Sequence, residues 1–352
     1  MNKIFAVSPA PHLKKKHNVS WVMWQVVIAL SPALIASVLL FGINALMLTL
    51  YGIVAAVGAE TIIQKLRKVP LTASDGSAVV TGILVSFNIH ANSPWWLPVV
   101  GAVFAIAIGK QVFGGLGNNP FNPALLARAF MVASWPTLTT AGWKAAWDKS
   151  LIAHGDKLMS GLNGDFVTEL SSKAEMLVTN ATPLAVVKAL RDSTAFIQND
   201  SELIISKLTH LDTINNLFIG YVGGVIGEVS ALALLIGAVY LAWKHIIEWR
   251  IPVSYIGTVF VLVAIFGGLN GPSLLLATFH IFAGGLILGA FFMATDMVTS
   301  PVTKKGRLIF GIGCGLITVS IRLIGGYPEG VSYSILLMNM AVPLIDKYTM
   351  PK

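Results

Sequence analysis

Long apolar stretches, broken by glycine and proline, limit what this chain can fold into. A transmembrane helix needs about 20 consecutive apolar residues, and residues 22–41 and 45–63 meet that requirement. Of the 352 residues, 55% are hydrophobic and 11% are charged, whereas soluble domains carry about 25% charged residues. No small-residue cleavage site follows an apolar core in the first 20 residues, so we expect the first run to be a membrane span. The sequence predicts an all-α polytopic membrane protein.

Two further apolar runs are too short to be plain spans. The run 77–89 is about 13 residues long, well under the length of a bilayer crossing. A Gly- and Asn-rich stretch at 114–123 separates the run 94–112 from a second short run at 124–135. Later runs occupy 217–224, 230–243, 253–267, 273–292, 308–324 and 332–345. Such interrupted runs are typical of the broken helices of transport proteins.

The two halves of the chain also resemble each other. Gly114-Gly115, Leu125-Leu126 and Arg128 align at an offset of 211 with Gly325-Gly326, Leu336-Leu337 and Asn339. A weak internal repeat with breaks at matching places is typical of inverted-repeat transport folds. We therefore predict about ten membrane helices in two inverted repeats, with half-helices. The alternative is a chance alignment of Gly-rich apolar sequence.

One long polar segment separates the halves. Residues 137–213 contain nine Asp or Glu and seven Lys or Arg. The predicted organisation is an N-terminal segment, a first membrane repeat, this loop, a second membrane repeat and a short tail, at 1–21, 22–136, 137–213, 214–346 and 347–352. Most remaining Lys and Arg cluster at 3–16, 65–68, 244–250, 304–307 and 347–352. The positive-inside rule assigns these clusters to the cytoplasm. Five crossings in each half, starting from a cytoplasmic N-terminus, then place the loop 137–213 outside and the C-terminus inside.

Charge and cysteine content exclude some functions. The net charge of +8 belongs to cytoplasmic loops, and no basic-aromatic interleaving indicates nucleic-acid binding. The single cysteine, Cys314, cannot complete a disulfide, an iron–sulfur site or a zinc site within the chain. We predict no metal site and no catalytic residue here, so any electron carrier must be something other than cysteine-held iron.

Polar side chains at the Gly-rich break are candidate ligands. Lys110 and the amides of Asn118, Asn119 and Asn122 offer hydrogen-bond donors and acceptors. They could hold a planar heterocycle edge-on, or they could only satisfy the backbone of a re-entrant loop.

Two carboxylates at helix breaks are candidates for an ion pathway. Asp75 and Asp296 lie beside short apolar runs, and a carboxylate at membrane depth is costly unless it is paired, protonated or bound to a cation. The alternative is that each caps a short helix.

The loop contains a second type of candidate site at residues 178–185. Thr182 is a good helix N-cap, and Pro183 suits the first helical position. A phosphate carried by such a threonine would lie on free backbone N–H groups at the positive end of a helix.

Four stretches together resemble a known family: Gly114 to Ala124, Thr179-Asn180-Ala181-Thr182-Pro183-Leu184, Thr295 to Pro301, and Gly325-Gly326-Tyr327-Pro328-Glu329-Gly330. Over its whole length the chain is similar to the D-type subunits of the Rnf complexes, which are membrane-bound ferredoxin:NAD oxidoreductases that pump ions. It is also similar to the B-type subunits of the sodium-pumping NADH:quinone reductases. Thr179 to Thr182 resembles the Ser/Thr-x-Ala-Thr motif whose last threonine a flavin transferase esterifies with FMN.

The resemblance implies a urea-transporter-like fold and FMN esterified to Thr182 on the extracytoplasmic side, with Thr179 and Asn180 beside it. It leaves open a second, non-covalent riboflavin in the membrane part. It further implies a bacterial inner-membrane component of a redox-driven Na⁺ or H⁺ pump. The partners would be other Rnf subunits, including an FMN-bearing G-type subunit and iron–sulfur subunits. The competing interpretations are a small-solute channel without a redox role and the equivalent component of a quinone reductase.

Overall fold

The computed structural model describes residues 18–140, 184, 211–220, 224–228, 230–268, 272–325 and 329–350. Every regular element in these residues is helical. The predicted all-α class is therefore confirmed for the part of the chain that the structure describes.

The first half begins with two long helices, α1 (Val19–Phe41) and α2 (Ile43–Leu66). The Asn18 side chain caps α1 by accepting a hydrogen bond from the backbone N–H of Trp21 at 2.8 Å. Gly42 joins the two helices at φ +81°, a conformation that glycine adopts without a Cβ penalty.

Shorter helices complete the first half: α3 (Ser77–Phe87), α4 (Trp96–Ile106), α5 (Pro123–Ser134) and α6 (Pro136–Thr140). A π-helical turn, Ala107–Gln111, continues α4. The 77–89 run is thus a short helix, as predicted from its length.

The second half contains α7 (Leu211–Ile219), α8 (Ala231–Trp243), α9 (Arg250–Phe266), α10 (Leu274–Phe282), α11 (Leu286–Leu288), α12 (Lys304–Leu323) and α13 (Val331–Thr349). A π-helical turn, Gly289–Met293, extends α11. The run 273–292 is not one continuous helix. Gly284 and Gly285, at φ +70° and +60°, separate α10 from α11, and the helix axis bends there by 67°.

Among the described residues, α1, α2 and α12 are long and apolar enough to cross a membrane. The bent pair of α10 with α11 and its π-turn adds a fourth candidate span if it is counted as one. Helices α3, α5, α8 and α9, and α4 with its π-turn, are apolar but shorter. These lengths suit a membrane protein with broken helices.

Packing inside each half follows a similar plan. Helix α2 packs against α3 and α4, while α9 packs against α10 and α12. Helices α1 and α8 connect the halves. Glycines permit the closest approaches: a Cβ on Gly82 of α3 would lie 2.7 Å from the Gly52 carbonyl oxygen of α2, and a Cβ on Gly237 of α8 would collide with the Ala29 carbonyl of α1. Small residues at helix contacts are the usual means of close packing in membranes.

Candidate functional site

A mainly apolar pocket that also contains several polar groups lies beside the first turn of α3, between the two halves of the chain. Its polar lining residues come from both halves: Ser77, Thr81, Lys110, Asn119, Asn122, Thr295 and Asp296. The sequence-based candidates Lys110, Asn119, Asn122 and Asp296 are therefore brought together. The breaks that were predicted separately in the two halves meet in space.

Lys110 is held in this pocket by the π-helical turn that continues α4. Its side chain is only 1% exposed. Its Nζ lies 2.6 Å from Glu60 Oε1 and donates a hydrogen bond to Ser77 Oγ, also at 2.6 Å. A buried ammonium needs such a charged partner, because desolvation of an unpaired charge costs several kcal/mol.

Glu60, on α2, is a site residue that the sequence did not single out. It is fully buried, and besides the Lys110 contact its Oε1 accepts from Gln111 Nε2 at 3.0 Å and from Gln64 Nε2 at 3.2 Å. Its Oε2 has no hydrogen-bond partner among the described residues. The available signal was that Glu60 is the one carboxylate inside the apolar run 45–63.

The asparagines of the Gly-rich break have different roles. Asn122 caps α5 by accepting from the N–H groups of Ala124 and Leu125, and its Nδ2 donates to the Met293 carbonyl at 3.3 Å. Asn119 is 3% exposed; its Nδ2 donates to the Phe121 carbonyl, but its Oδ1 has no hydrogen-bond partner in the described part of the chain. Asn118 is exposed and does not line the pocket.

The two predicted ion-path carboxylates both accept backbone hydrogen bonds. Asp75 Oδ1 accepts from the N–H of Ser77 at 2.7 Å and from its hydroxyl at 2.5 Å. Asp296 accepts from the N–H of Val298 at 3.2 Å and from the Thr299 hydroxyl at 3.3 Å. Both hold a local turn by accepting from the backbone N–H two residues later, and Asp296 also lines the pocket.

A second charged cluster lies near the last turn of α3. Arg128, on α5, donates from Nη1 to Asn88 Oδ1 at 2.5 Å and pairs through Nη2 with the Glu329 carboxylate of the second half. The two side chains are 12% and 20% exposed. This pair fixes α5 against the segment that precedes α13.

Arg322, at the end of α12, faces the break between α10 and α11. It is 3% exposed and donates hydrogen bonds to four backbone carbonyls: those of His280, Ala283, Gly284 and Glu329. The Glu228 side chain interacts electrostatically with both Arg128 and Arg322. The cluster thus combines two guanidinium groups with two carboxylates.

Leu184 connects the long polar segment to this cluster. It is 3% exposed and belongs to the hydrophobic core. A Cβ placed on Gly284 would lie 2.9 Å from Leu184 Cδ2 and 3.4 Å from Arg322 Nη2. Three predicted residues, Thr179, Asn180 and Thr182, lie outside the residues that the structure describes.

Comparison with known proteins places the chain among membrane oxidoreductase subunits. The model of the NQR2, RnfD, RnfE family matches residues 6–352. The D-type subunit of the Na⁺-translocating ferredoxin:NAD⁺ oxidoreductase complex of Acetobacterium woodii is 46% identical, over 99% of this chain and 95% of that protein. Its counterpart in the proton-translocating complex of Clostridium ljungdahlii is 43% identical, over the same shares of the two chains. The D-type subunit of an ion-translocating oxidoreductase complex of Citrobacter koseri is 35% identical, over 99% and 98%.

Proposed function

Because this chain belongs to the NQR2, RnfD, RnfE family, we propose that it is the flavin-bearing membrane subunit of a redox-driven ion pump. In this role it would relay electrons between ferredoxin and NAD and couple that transfer to the movement of Na⁺ or H⁺. The observation that carries the proposal is the buried position of Leu184 beside Gly284 and Arg322. It ties the segment that contains the flavin motif to a charged cluster between the two halves.

Thr182 is the proposed site of covalent FMN, through a phosphoester of its hydroxyl. Thr182 precedes the buried Leu184 by two positions in the sequence, and two residues of chain span at most about 7 Å. Guanidinium groups favour phosphate, since they combine positive charge with several N–H donors. Arg128 still has N–H donors beyond those used for Asn88 and Glu329. The described residues therefore suit a phosphoester near this cluster, with Thr179 and Asn180 as its sequence neighbours.

The pocket beside α3 is the proposed site of a second, non-covalent riboflavin. A flavin ring presents carbonyl acceptors and one imide N–H along its pyrimidine edge. Lys110 and Asn122 can donate to such acceptors, and the unpartnered Oδ1 of Asn119 can accept from the imide. When bound, flavins would supply carriers that accept and release electrons one or two at a time. The protein residues hold the ring and exclude water from it.

The fold proposed for this function is urea-transporter-like, with two inverted repeats of five helices. The matching contacts of α2 with α3 and α4, and of α9 with α10 and α12, support it. Each half also has a π-helical turn, Ala107–Gln111 or Gly289–Met293, close to its break.

Ion coupling is proposed to use the polar groups at the pocket. Asp296 lines the pocket, Asp75 accepts from the pocket residue Ser77, and the buried Glu60 adds a third carboxylate beside Lys110. A flavin that gains an electron nearby would attract a cation more strongly, because Coulomb interactions are large in a low-dielectric region. Relatives named for Na⁺ and for protons are 46% and 43% identical, so overall similarity does not select the ion.

The proposed setting is the bacterial inner membrane, with both termini in the cytoplasm and the loop 137–213 outside. The partners would be the remaining Rnf subunits, including an FMN-bearing G-type subunit and iron–sulfur subunits, together with a flavin transferase for maturation. A solute channel of the same fold would have no use for the motif at Thr182, and family membership argues against that alternative.

Intact-mass analysis tests the covalent flavin directly. When the chain is produced together with a flavin transferase, we expect the unaltered protein to gain the mass of one FMN less one water, and Thr182→Ala to gain nothing, since only that hydroxyl carries the ester. Thr179→Ala is the matched control and should keep the adduct. An unaltered chain without the adduct under these conditions would show that the proposal is wrong.

A further inference from the structure

The break between α10 and α11 gathers backbone oxygens at one point. Helix α10 ends at Phe282, and Gly284 and Gly285 have left-handed backbone conformations. The last carbonyls of a helix have no intrahelical partner. Three carbonyls at this break accept hydrogen bonds from Arg322 at the end of α12: those of His280, Ala283 and Gly284. The Glu329 carbonyl accepts from the same guanidinium.

The buried Arg322 guanidinium lies among these four carbonyls, which we call the carbonyl cup. Arg322 donates from Nη1 to His280 O at 2.6 Å, from Nη2 to Ala283 O at 3.1 Å and to Gly284 O at 2.9 Å, and from Nε to Glu329 O at 3.0 Å. The Glu228 carboxyl group lies beside Gly285. Converging backbone carbonyls at a broken membrane helix are the arrangement with which channels and transporters bind cations.

We propose that Arg322 is a tethered cation that fills a cation-binding cup and thereby seals the second-half break. The guanidinium takes the place that a mobile cation would otherwise occupy, so ions do not cross the protein at this point. This inference does not depend on whether Thr182 carries FMN.

The corresponding cation of the first half is bound in a different way. Lys110 lies near the start of α3, but its partners are the side chains of Glu60 and Ser77. A charged residue of the transport machinery can release side-chain partners by rotation. Backbone carbonyls are fixed by the fold, which suits a permanent seal at Arg322 rather than a moving part.

Passive ion flux tests the seal. Purified complex with Arg322→Ala is reconstituted in liposomes, and cation leak is measured without any electron donor. We expect the leak to rise about tenfold, because the exposed carbonyls can then replace part of the hydration shell of a cation. Added guanidinium ion should reduce the leak by refilling the cup.

Arg307→Ala is the matched control. Arg307 is also an arginine of α12, but it is 25% exposed and contacts Glu248 and the Pro301 carbonyl at the other end of that helix. This control should stay ion-tight. An assembled Arg322→Ala complex that is ion-tight, or that leaks without any response to guanidinium, would overturn the proposal.

A stability measurement covers the case in which Arg322→Ala assembles poorly. The melting temperature of the variant is compared in guanidinium chloride and in potassium chloride at equal low concentration. Guanidinium should raise it for Arg322→Ala and not for Arg307→Ala. Equal behaviour of the two variants would mean that the cup binds no cation.

Discussion

At the scale of single residues, Asn119 gives the sharpest test of the second flavin. Its Oδ1 is buried in the pocket without a partner among the described residues, so it can accept a hydrogen bond from a bound ring. Replacing Asn119 with Leu removes both the acceptor and the amide donor. Losing a buried hydrogen bond costs about 1–3 kcal/mol, so non-covalent flavin should fall about fivefold or more. Acid extraction separates this pool from the covalent FMN, which should be unchanged.

The neighbouring Asn118 provides the control for that experiment. It has the same amide on the same Gly-rich stretch, but it is exposed and outside the pocket lining. Asn118→Leu should therefore leave the extractable flavin at its normal level. Equal flavin content in the Asn119→Leu and unaltered proteins would exclude this pocket as the second flavin site.

At the scale of helices, the contact between α2 and α3 depends on glycine. A Cβ on Gly52 would lie 2.9 Å from the Gly82 carbonyl and would collide with Ser86 Oγ, which is held by a hydrogen bond to the Leu48 carbonyl. We expect Gly52→Ala to lower the free energy of unfolding by about 1–3 kcal/mol, the usual cost of overpacking. Gly58→Ala on the same helix should be neutral, because nothing lies within 4 Å of its Cβ position. Thermal melting of the two variants makes the comparison, and matching losses would refute the role of close packing.

Helices that depend on the local apolar pattern could be predicted from the sequence. Bends and ion pairs that depend on distant contacts could not. The apolar runs 77–89 and 124–135 predicted the short helices α3 and α5. The bend at Gly284 was not foreseen, because paired glycines also occur inside continuous membrane helices. The Glu60–Lys110 pair joins residues 50 positions apart. The cup around Arg322 consists of backbone oxygens, which leave no signature in a sequence.

At the scale of the whole molecule, the orientation in the membrane is open to a direct test. The Lys and Arg clusters outside the loop predict cytoplasmic termini, and an even number of crossings before residue 137 would contradict that arrangement. A reporter active only outside the cytoplasm, fused near residue 165, should be active, and the same reporter at the C-terminus should be silent. The reverse pattern would invert the proposed topology and move Thr182 to the cytoplasmic side.

The pocket could be predicted in part at this scale. Lys110, Asn119, Asn122 and Asp296 were each expected to matter, and the structure shows that they line one pocket. That meeting requires the first-half break to face the π-turn of the second half, as the contact between Asn122 and the Met293 carbonyl shows. Contacts across 171 residues depend on the packing of both halves, so no local pattern contains them.

The ion pair between Arg128 and Glu329 also has a consequence for biosynthesis. The two residues are 201 positions apart. A ribosome that adds about 5–20 residues per second leaves the arginine without this partner for on the order of 10–40 seconds. During that interval the newly inserted first half carries a charge that is costly at membrane depth. Glu228, which also interacts with Arg128, is made earlier, so the contact that must wait for the end of synthesis is the one that fixes α5 against the segment before α13.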